Sequence, residues 1–427
     1  MFEKFKTAAV SAAAGPEVKA KVLKHPLAYE VMAALGKRYY TRRGKSAQGI
    51  WLDAISRQMK AALERKGLVV WGNAFFPFEL LYGLGVTPVH PESIVATAAV
   101  IGLSRGAIAC AESGGYSSDL CSFYRCAIGL DTEGLLPAPD VVVSSSYLCD
   151  GAVKSFYNVS RKYGCVHYLL DVPYHHTEKS RKYVAGQLRE LAQIIAEKQG
   201  KPFDEAKLAE ALRLSNEAMG YQLKVNELRK KRPCPLSAED ATSYISDMQF
   251  FSQGSPEGVA FFKTLYEEVK DKAESGRGTG AERFRLLWLH YVRPYYPNDI
   301  ISYLETKGAS VCFNEANYIY WKALDPENPF ESLADKVLSI PNSGPLERRA
   351  DLALKLAEDY KVDGVIHFSH WGCRQSCGGE HVIRDLMKKK GIPMLILDGD
   401  GIDSRSYSKE QTKLRLEAFL EMLEARR

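Results

Sequence analysis

The sequence predicts an α/β protein of two related lobes, each with a mainly parallel sheet flanked by helices, and with further helical segments at the N-terminus and between the lobes. Two observations carry that prediction. Short apolar runs of strand length alternate with amphipathic stretches of helical spacing, and one strand, loop, helix, strand plan occurs in both halves of the chain. At 427 residues, 46% hydrophobic and 26% charged, the chain is long enough for two or three domains with substantial cores.

The first 65 residues read as helical, interrupted at Gly15-Pro16 and His25-Pro26. The first lobe, residues 66–175, opens with a strand at Gly67 to Trp71. The loop GNAFFPF follows, Glu79 to Leu84 begins a helix, and VTPVHP returns as a strand. A second unit runs from the strand Asp140 to Ser144, through SSYLCD, into a helix from about Gly151 to Tyr163 and a strand in CVHYLLDVPY. Residues 176–274 are rich in Lys, Glu, Ala and Leu at helical spacing, as at Leu188, Leu191, Ile194 and Ile195, and predict helices. Ser275 to Gly280 (SGRGTG) is the clearest flexible linker. The second lobe, residues 281–427, repeats the plan with a strand at Phe284 to Tyr291, the loop VRPYYP, a helix at Asp299 to Lys307 and a strand at Ala309 to Phe313. Its last unit has a strand around Val365, Ile366 and Phe368, a polar loop from Ser369 to Gly379, a helix from about Glu380 to Lys390 and a strand from Pro393 to Leu397. Right-handed crossovers between such strands make each sheet largely parallel.

The net charge of +5 is small for this length and the basic residues are scattered, so no nucleic-acid partner is expected. The chain lacks a run of about 18 apolar residues, so no membrane span is expected. The N-terminal MFEKFKTAAVSAAAG has too short an apolar run for a signal peptide, and the expected location is cytoplasmic.

Nine cysteines form an odd set with no C-x-x-C spacing, which points away from a complete disulfide framework, a zinc ribbon or a thioredoxin motif. Cys121, Cys149 and Cys373 fall at or just beyond the carboxyl ends of expected strands or in adjoining loops, where ligands bind in open α/β sheets. If the two carboxyl edges face each other, three thiolates and one open iron position make a chemically sensible [4Fe–4S] site. Cysteine is also among the most buried residue types, so simple packing is the alternative on these grounds alone. Cys110, Cys165, Cys234 and Cys312 read as packing residues, whereas Cys126 and Cys377 lie within five positions of a proposed ligand and read as neighbouring thiols or alternate ligands.

The stretches GNAFFPFELLYGLGVTPVHPES, YSSDLCSFYRCAIG, SSSYLCDGAVKSFY, DVPYHHTE and HWGCRQSCGGEHVIRDLMKKKGIPMLILDGDGIDSR resemble, in order, the 2-hydroxyacyl-CoA dehydratase and benzoyl-CoA reductase family of iron–sulfur proteins. HWGC and LDGDGID look closest to the larger dehydratase subunit. The resemblance implies a [4Fe–4S] cluster on Cys121, Cys149 and Cys373, with Cys126 and Cys377 leaving open a larger iron–sulfur cluster. It further implies a homologous sister subunit in a heterodimer, a CoA-thioester substrate, and a separate ATP-dependent iron–sulfur activator that delivers one low-potential electron. Dehydration would then proceed through a ketyl radical anion; ring reduction of an aromatic thioester, or a non-catalytic relay role, are the alternatives.

Other residues at the expected mouth carry two readings each. Glu79 is a proton acceptor or substrate-hydroxyl partner, or a first-turn acid favoured by the helix dipole. Asn73 flanks the same loop, and His370 is a proton donor or a loop cap. Asp398, Asp400 and Asp403 resemble a metal cluster but suit turn capping, and Ser144 to Ser146 offer hydroxyls to sulfur near Cys149.

Overall fold

The computed structural model describes residues 15–276, 278 and 282–427. The expectations for residues 1–14 and for most of the SGRGTG linker fall outside the described residues.

Among the described residues, eight strands form two four-stranded sheets in which every pairing is parallel. The first sheet joins β1 (Val69–Gly72), β2 (Thr87–Val89), β3 (Val141–Ser145) and β4 (Val166–Leu170) in the order β2-β1-β3-β4. The second joins β5 (Phe284–Leu289), β6 (Ala309–Asn314), β7 (Gly364–His370) and β8 (Met394–Gly399) in the order β6-β5-β7-β8. The two orders are the same, so the repeated sequence plan is a repeated topology. The central strands are buried along their whole length because helices cover both faces. That is why they read as unbroken apolar runs rather than alternating ones.

The expected helices after these strands are present at Phe78–Gly83, Asp150–Tyr163, Ile300–Thr306 and Glu380–Lys389. Between the sheets the chain is helical, as expected, over Glu178–Gln199, Glu205–Leu228 and Pro256–Glu274. Thr177 caps the first of these by accepting from the Ser180 N–H at 3.1 Å. These helices share one core with the first sheet, since Leu188, Leu191 and Ile195 are buried with Val70 and Val141. Trp321, Phe330 and Ile340, which the sequence assigns to the second lobe, are buried in that same first core. Stretches without an assigned element in the sequence hold six further helices of ten or more residues, Pro91–Val100, Ser104–Ser113, Ser122–Thr132, Pro329–Leu338, Leu346–Asp359 and Lys409–Glu424. Among the described residues no single helix is long and apolar enough to cross a membrane.

Candidate active site

In each sheet the strand order reverses between the first and third strands in sequence, β1 and β3 in one, β5 and β7 in the other. Ligand sites of open parallel sheets lie beyond the carboxyl ends of strands at such reversals. Here residues after both reversals line one cavity of ≈ 280 Å³: Asn73 after β1, Cys149 after β3, His290 after β5, and Cys373 after β7. Cys121 joins them from the loop before helix Ser122–Thr132, so the structure brings together the three cysteines singled out in the sequence.

Each of the three takes the same local position. Cys121, Cys149 and Cys373 are the residues immediately preceding helices Ser122–Thr132, Asp150–Tyr163 and Arg374–Cys377. The halves of the molecule meet closely there. Gly372 has φ +73°, and a Cβ on it would stand 3.0 Å from the Cys121 Cα, so only glycine lets these two loops touch without a shift.

Burial raises the Cys121 thiol well above its ordinary range, and the neighbouring Cys149 and Cys373 add to the shift. Burial likewise pushes Cys149 up to about 11, partly opposed by the Tyr124 hydroxyl, with Cys373 pushing the same way. Cys373 is raised by burial, opposed by the backbone N–H groups of Ser376 and Gln375. Three desolvated thiols that resist each other's ionisation become thiolates when a cation complex replaces their protons. Among the described residues no three His, Cys, Asp or Glu side chains close around a point as a single-ion site requires. An iron–sulfur cubane is broader than one ion, and thiolates are its usual ligands, so the donor set around this cavity fits such a cluster.

The flanking groups are ordered. His370 accepts the Gly401 N–H at Nδ1, 3.1 Å away, which leaves its Nε2 as the donor to the Cys121 sulfur at 3.3 Å. Asn73 clamps β1 to β3, its Oδ1 accepting from the Ser145 N–H at 3.2 Å. The Tyr124 hydroxyl donates to Glu92 at 2.9 Å, and Glu92 also accepts the Ala74 N–H at 3.1 Å. Five described non-glycine residues have φ in the left-handed region, and three of them, Phe75, Leu148 and His290, line the cavity. Strain of this kind persists where surrounding contacts hold it and gathers at functional sites.

Other sequence candidates are placed elsewhere. Glu79 is fully buried away from the cavity wall, held by Lys336 Nζ at 2.5 Å and the Ser215 hydroxyl at 2.7 Å. Cys126 is buried in the helix-packed core of the first sheet, and Cys377 is exposed; neither lines the cavity. The hydroxyls expected beside Cys149 bond instead to His167 (Ser144), Asn73 (Ser145) and Asp171 (Ser146). They lie on β3 and its end, where neighbouring strands and loops claim them first. The aspartates serve as turn and surface partners: Asp400 accepts the N–H groups of Ile402 and Asp403 at 2.8 Å, Asp403 pairs with Arg405 and Asp398 with Arg415. His290, Tyr124 and Glu92 were missed by the sequence reasoning. The available hint for His290 was its place in the second copy, at the end of β5, where the first copy has Asn73 after β1.

A cavity lined in part by three cysteines, at the switch points of two like parallel sheets, places the molecule among α/β proteins whose ligand sites lie beyond the carboxyl ends of strands. The sequence pattern of the family described as 2-hydroxyglutaryl-CoA dehydratase, D-component, matches residues 73–423, and the chain belongs to that family. It is 26% identical over 382 residues to the (R)-phenyllactyl-CoA dehydratase alpha subunit of Clostridium sporogenes, covering 86% of this chain and 92% of that protein. It is 26% identical over 356 residues to a benzoyl-CoA reductase subunit of Thauera aromatica, covering 76% of this chain and 81% of that one. It is also 23% identical over 464 residues to the (R)-2-hydroxyglutaryl-CoA dehydratase subunit alpha of Acidaminococcus fermentans, covering 88% and 95%.

Proposed function

We propose that this chain is the cluster-bearing subunit of a 2-hydroxyacyl-CoA dehydratase, converting a 2-hydroxyacyl-CoA to the enoyl-CoA and water. The observation that carries the reading is the convergence of Cys121, Cys149 and Cys373 on one cavity at the two switch points. These three would hold a [4Fe–4S] cluster, which when bound supplies one-electron transfer and an open Lewis-acidic iron position. With Cys126 and Cys377 outside the cavity, a single cubane fits the donor set better than a larger cluster.

The chain's own residues do the positioning. His370 Nε2–H, fixed by its bond from Gly401, donates to the Cys121 sulfur and favours the more negative form of whatever that sulfur binds. Asn73 holds the β1 and β3 ends in register, and the largely apolar walls exclude water from the reacting thioester. The chain has no G-x-x-x-x-G-K-[ST] loop, so ATP hydrolysis belongs to a separate activator, and the alpha-subunit relatives support a sister subunit. The benzoyl-CoA reductase relative keeps reduction of an aromatic thioester as the second reading.

The test is anaerobic turnover of a 2-hydroxyacyl-CoA by this chain with its sister subunit, with and without activator and ATP. Sustained enoyl-CoA formation that depends on the activator is expected. Full multiple turnover without it, or turnover of the free acid at a comparable rate, rejects the reading.

A further inference from the structure

We propose that the cavity is the pocket for an uncharged, apolar acyl group of aromatic or branched shape, and that His290 is its polar contact, donating a hydrogen bond to the thioester carbonyl oxygen. This rests on the dehydratase reading and deepens it by naming the substrate class.

The walls argue for the acyl group. Phe75, Phe250 and Tyr291 meet edge to face, with ring centroids 4.8 and 4.9 Å from Phe75, and Trp51, Leu148 and Ile94 extend the apolar surface. An aromatic or branched side chain is the complement of such a surface. Charge argues the same way. Lys19 is the sole lysine or arginine among the lining residues, and its Nζ is already bonded to the Ile101 carbonyl at 3.0 Å. The formally acidic side chains on the wall are Glu92 and Asp247. A free carboxylate on the acyl chain would therefore lose its water with no unpaired lysine or arginine among the lining residues to receive it, beside groups of its own sign.

Besides His370, two buried imidazoles, His90 and His290, interrupt the apolar character; His90 Nε2 faces Glu92 Oε2 at 3.4 Å, which leaves His290 as the one without a polar side-chain partner among the described residues. It is 4% exposed, it lines the cavity, and neither ring nitrogen has a hydrogen-bond partner among the described residues. Buried polar atoms are nearly always satisfied, so an orphaned imidazole facing a cavity points to a ligand that completes it. Its backbone is held at φ +83° by the bond from its N–H to Glu315 Oε2 at 2.6 Å. Glu315 is itself gripped by both Nε and Nη2 of Arg349 at 2.8 Å. This strained, doubly anchored position fixes where the imidazole stands. Burial, with Arg349, His367 and His370 nearby, keeps the ring neutral, so it has one N–H to give and carries no charge into the apolar site. Asn342, whose Nδ2 is also unpartnered among the described residues, receives the Tyr291 hydroxyl at 2.8 Å on the same wall and offers a second donor to an acyl oxygen.

The experiment is calorimetric binding to the anaerobically purified complex with its sister subunit, using 3-phenyllactyl-CoA, 2-hydroxyglutaryl-CoA and S-(2-hydroxy-3-phenylpropyl)-CoA, a thioether that keeps the hydroxyl but lacks the carbonyl. The wild type is expected to bind 3-phenyllactyl-CoA at least about a hundredfold more tightly than 2-hydroxyglutaryl-CoA. His290→Ala is expected to weaken 3-phenyllactyl-CoA about tenfold and leave the thioether unchanged, while His290→Asn, which keeps a donor and tolerates the left-handed backbone, retains most of the affinity. Comparable or tighter binding of 2-hydroxyglutaryl-CoA overturns the acyl assignment. An equal loss for thioester and thioether, or no loss for either, overturns the role of His290. A wild-type complex that binds no acyl-CoA at all rejects the dehydratase reading, an outcome distinct from both.

Discussion

Replacing Lys336 with Met should destabilise the protein by about 3–5 kcal/mol, because it leaves a buried carboxylate without its counter-charge. Lys336 is 4% exposed and Glu79 fully buried, and their 2.5 Å contact ties the helix after β1 to helix Pro329–Leu338. Burial pulls the Lys336 ammonium below its ordinary pKa while Glu79 holds it up, so the ammonium and carboxylate depend on each other. After substitution Glu79 keeps the Ser215 hydroxyl, at 2.7 Å, as a neutral donor. The double variant Glu79→Gln, Lys336→Met removes both charges and should recover most of the loss, since a neutral buried site lacks the desolvation cost of an unpaired ion. Urea unfolding of the wild type, the two single variants and the double variant gives the coupling energy directly. Glu79→Gln is expected to lower stability and to leave turnover per folded molecule near wild type. A Glu79→Gln variant of wild-type stability that loses about a hundredfold in turnover would refute this reasoning and restore the proton-acceptor role expected from the sequence.

Two other outcomes follow from the site and its supports. Burial, reinforced by Arg349, lowers His367 from 6.5 to about 4; the unfolded chain therefore takes up a proton that the folded one does not, and stability present above pH 6.5 is lost as pH falls towards 4, by about 3 kcal/mol from this group. Unfolding of wild type and His367→Gln across that window should give converging curves at low pH, and parallel curves would contradict the assignment. His370→Phe removes the donor to the Cys121 sulfur, so the reduction potential of the anaerobic protein should fall by tens of mV, on the order of one hydrogen bond to a charged acceptor, with iron content retained; an unchanged potential in a redox titration would count against that bond.

Much of the fold was legible because the central strands are buried on both faces, so VVW, VVV, LLWL and GVIHF stand out as apolar runs wherever they occur. Cys149 and Cys373 were legible for a related reason: carboxyl ends of strands are where ligands sit, and the loops there are short enough to place. Cys121 was expected near a strand end too, but it lies in a helix-to-helix loop two helices beyond β2, and only the fold brings it to the same cavity. What periodicity does not carry is the destination of a buried face. Trp321, Phe330 and Ile340 are visibly apolar in sequence, yet they pack into the first sheet's core. Glu79 shows the same limit, since the residue that claims it, Lys336, is 257 positions away. Cys126 lies five residues after Cys121, but the intervening helix turns it into the core. His290 was passed over because neither its left-handed backbone nor its lack of partners can be read from residue type.

The central claim, that Cys121, Cys149 and Cys373 together hold an iron–sulfur cluster, is tested most directly by iron and sulfide analysis of the anaerobically purified chain. About four irons per chain are predicted for the wild type and for Cys234→Ser, whose thiol is buried in the second sheet's core. Near-complete loss is predicted for Cys373→Ser with the fold retained by circular dichroism, since a hydroxyl is a poor iron ligand. An iron-free, folded wild type, or equal iron in Cys373→Ser and Cys234→Ser, would contradict the account.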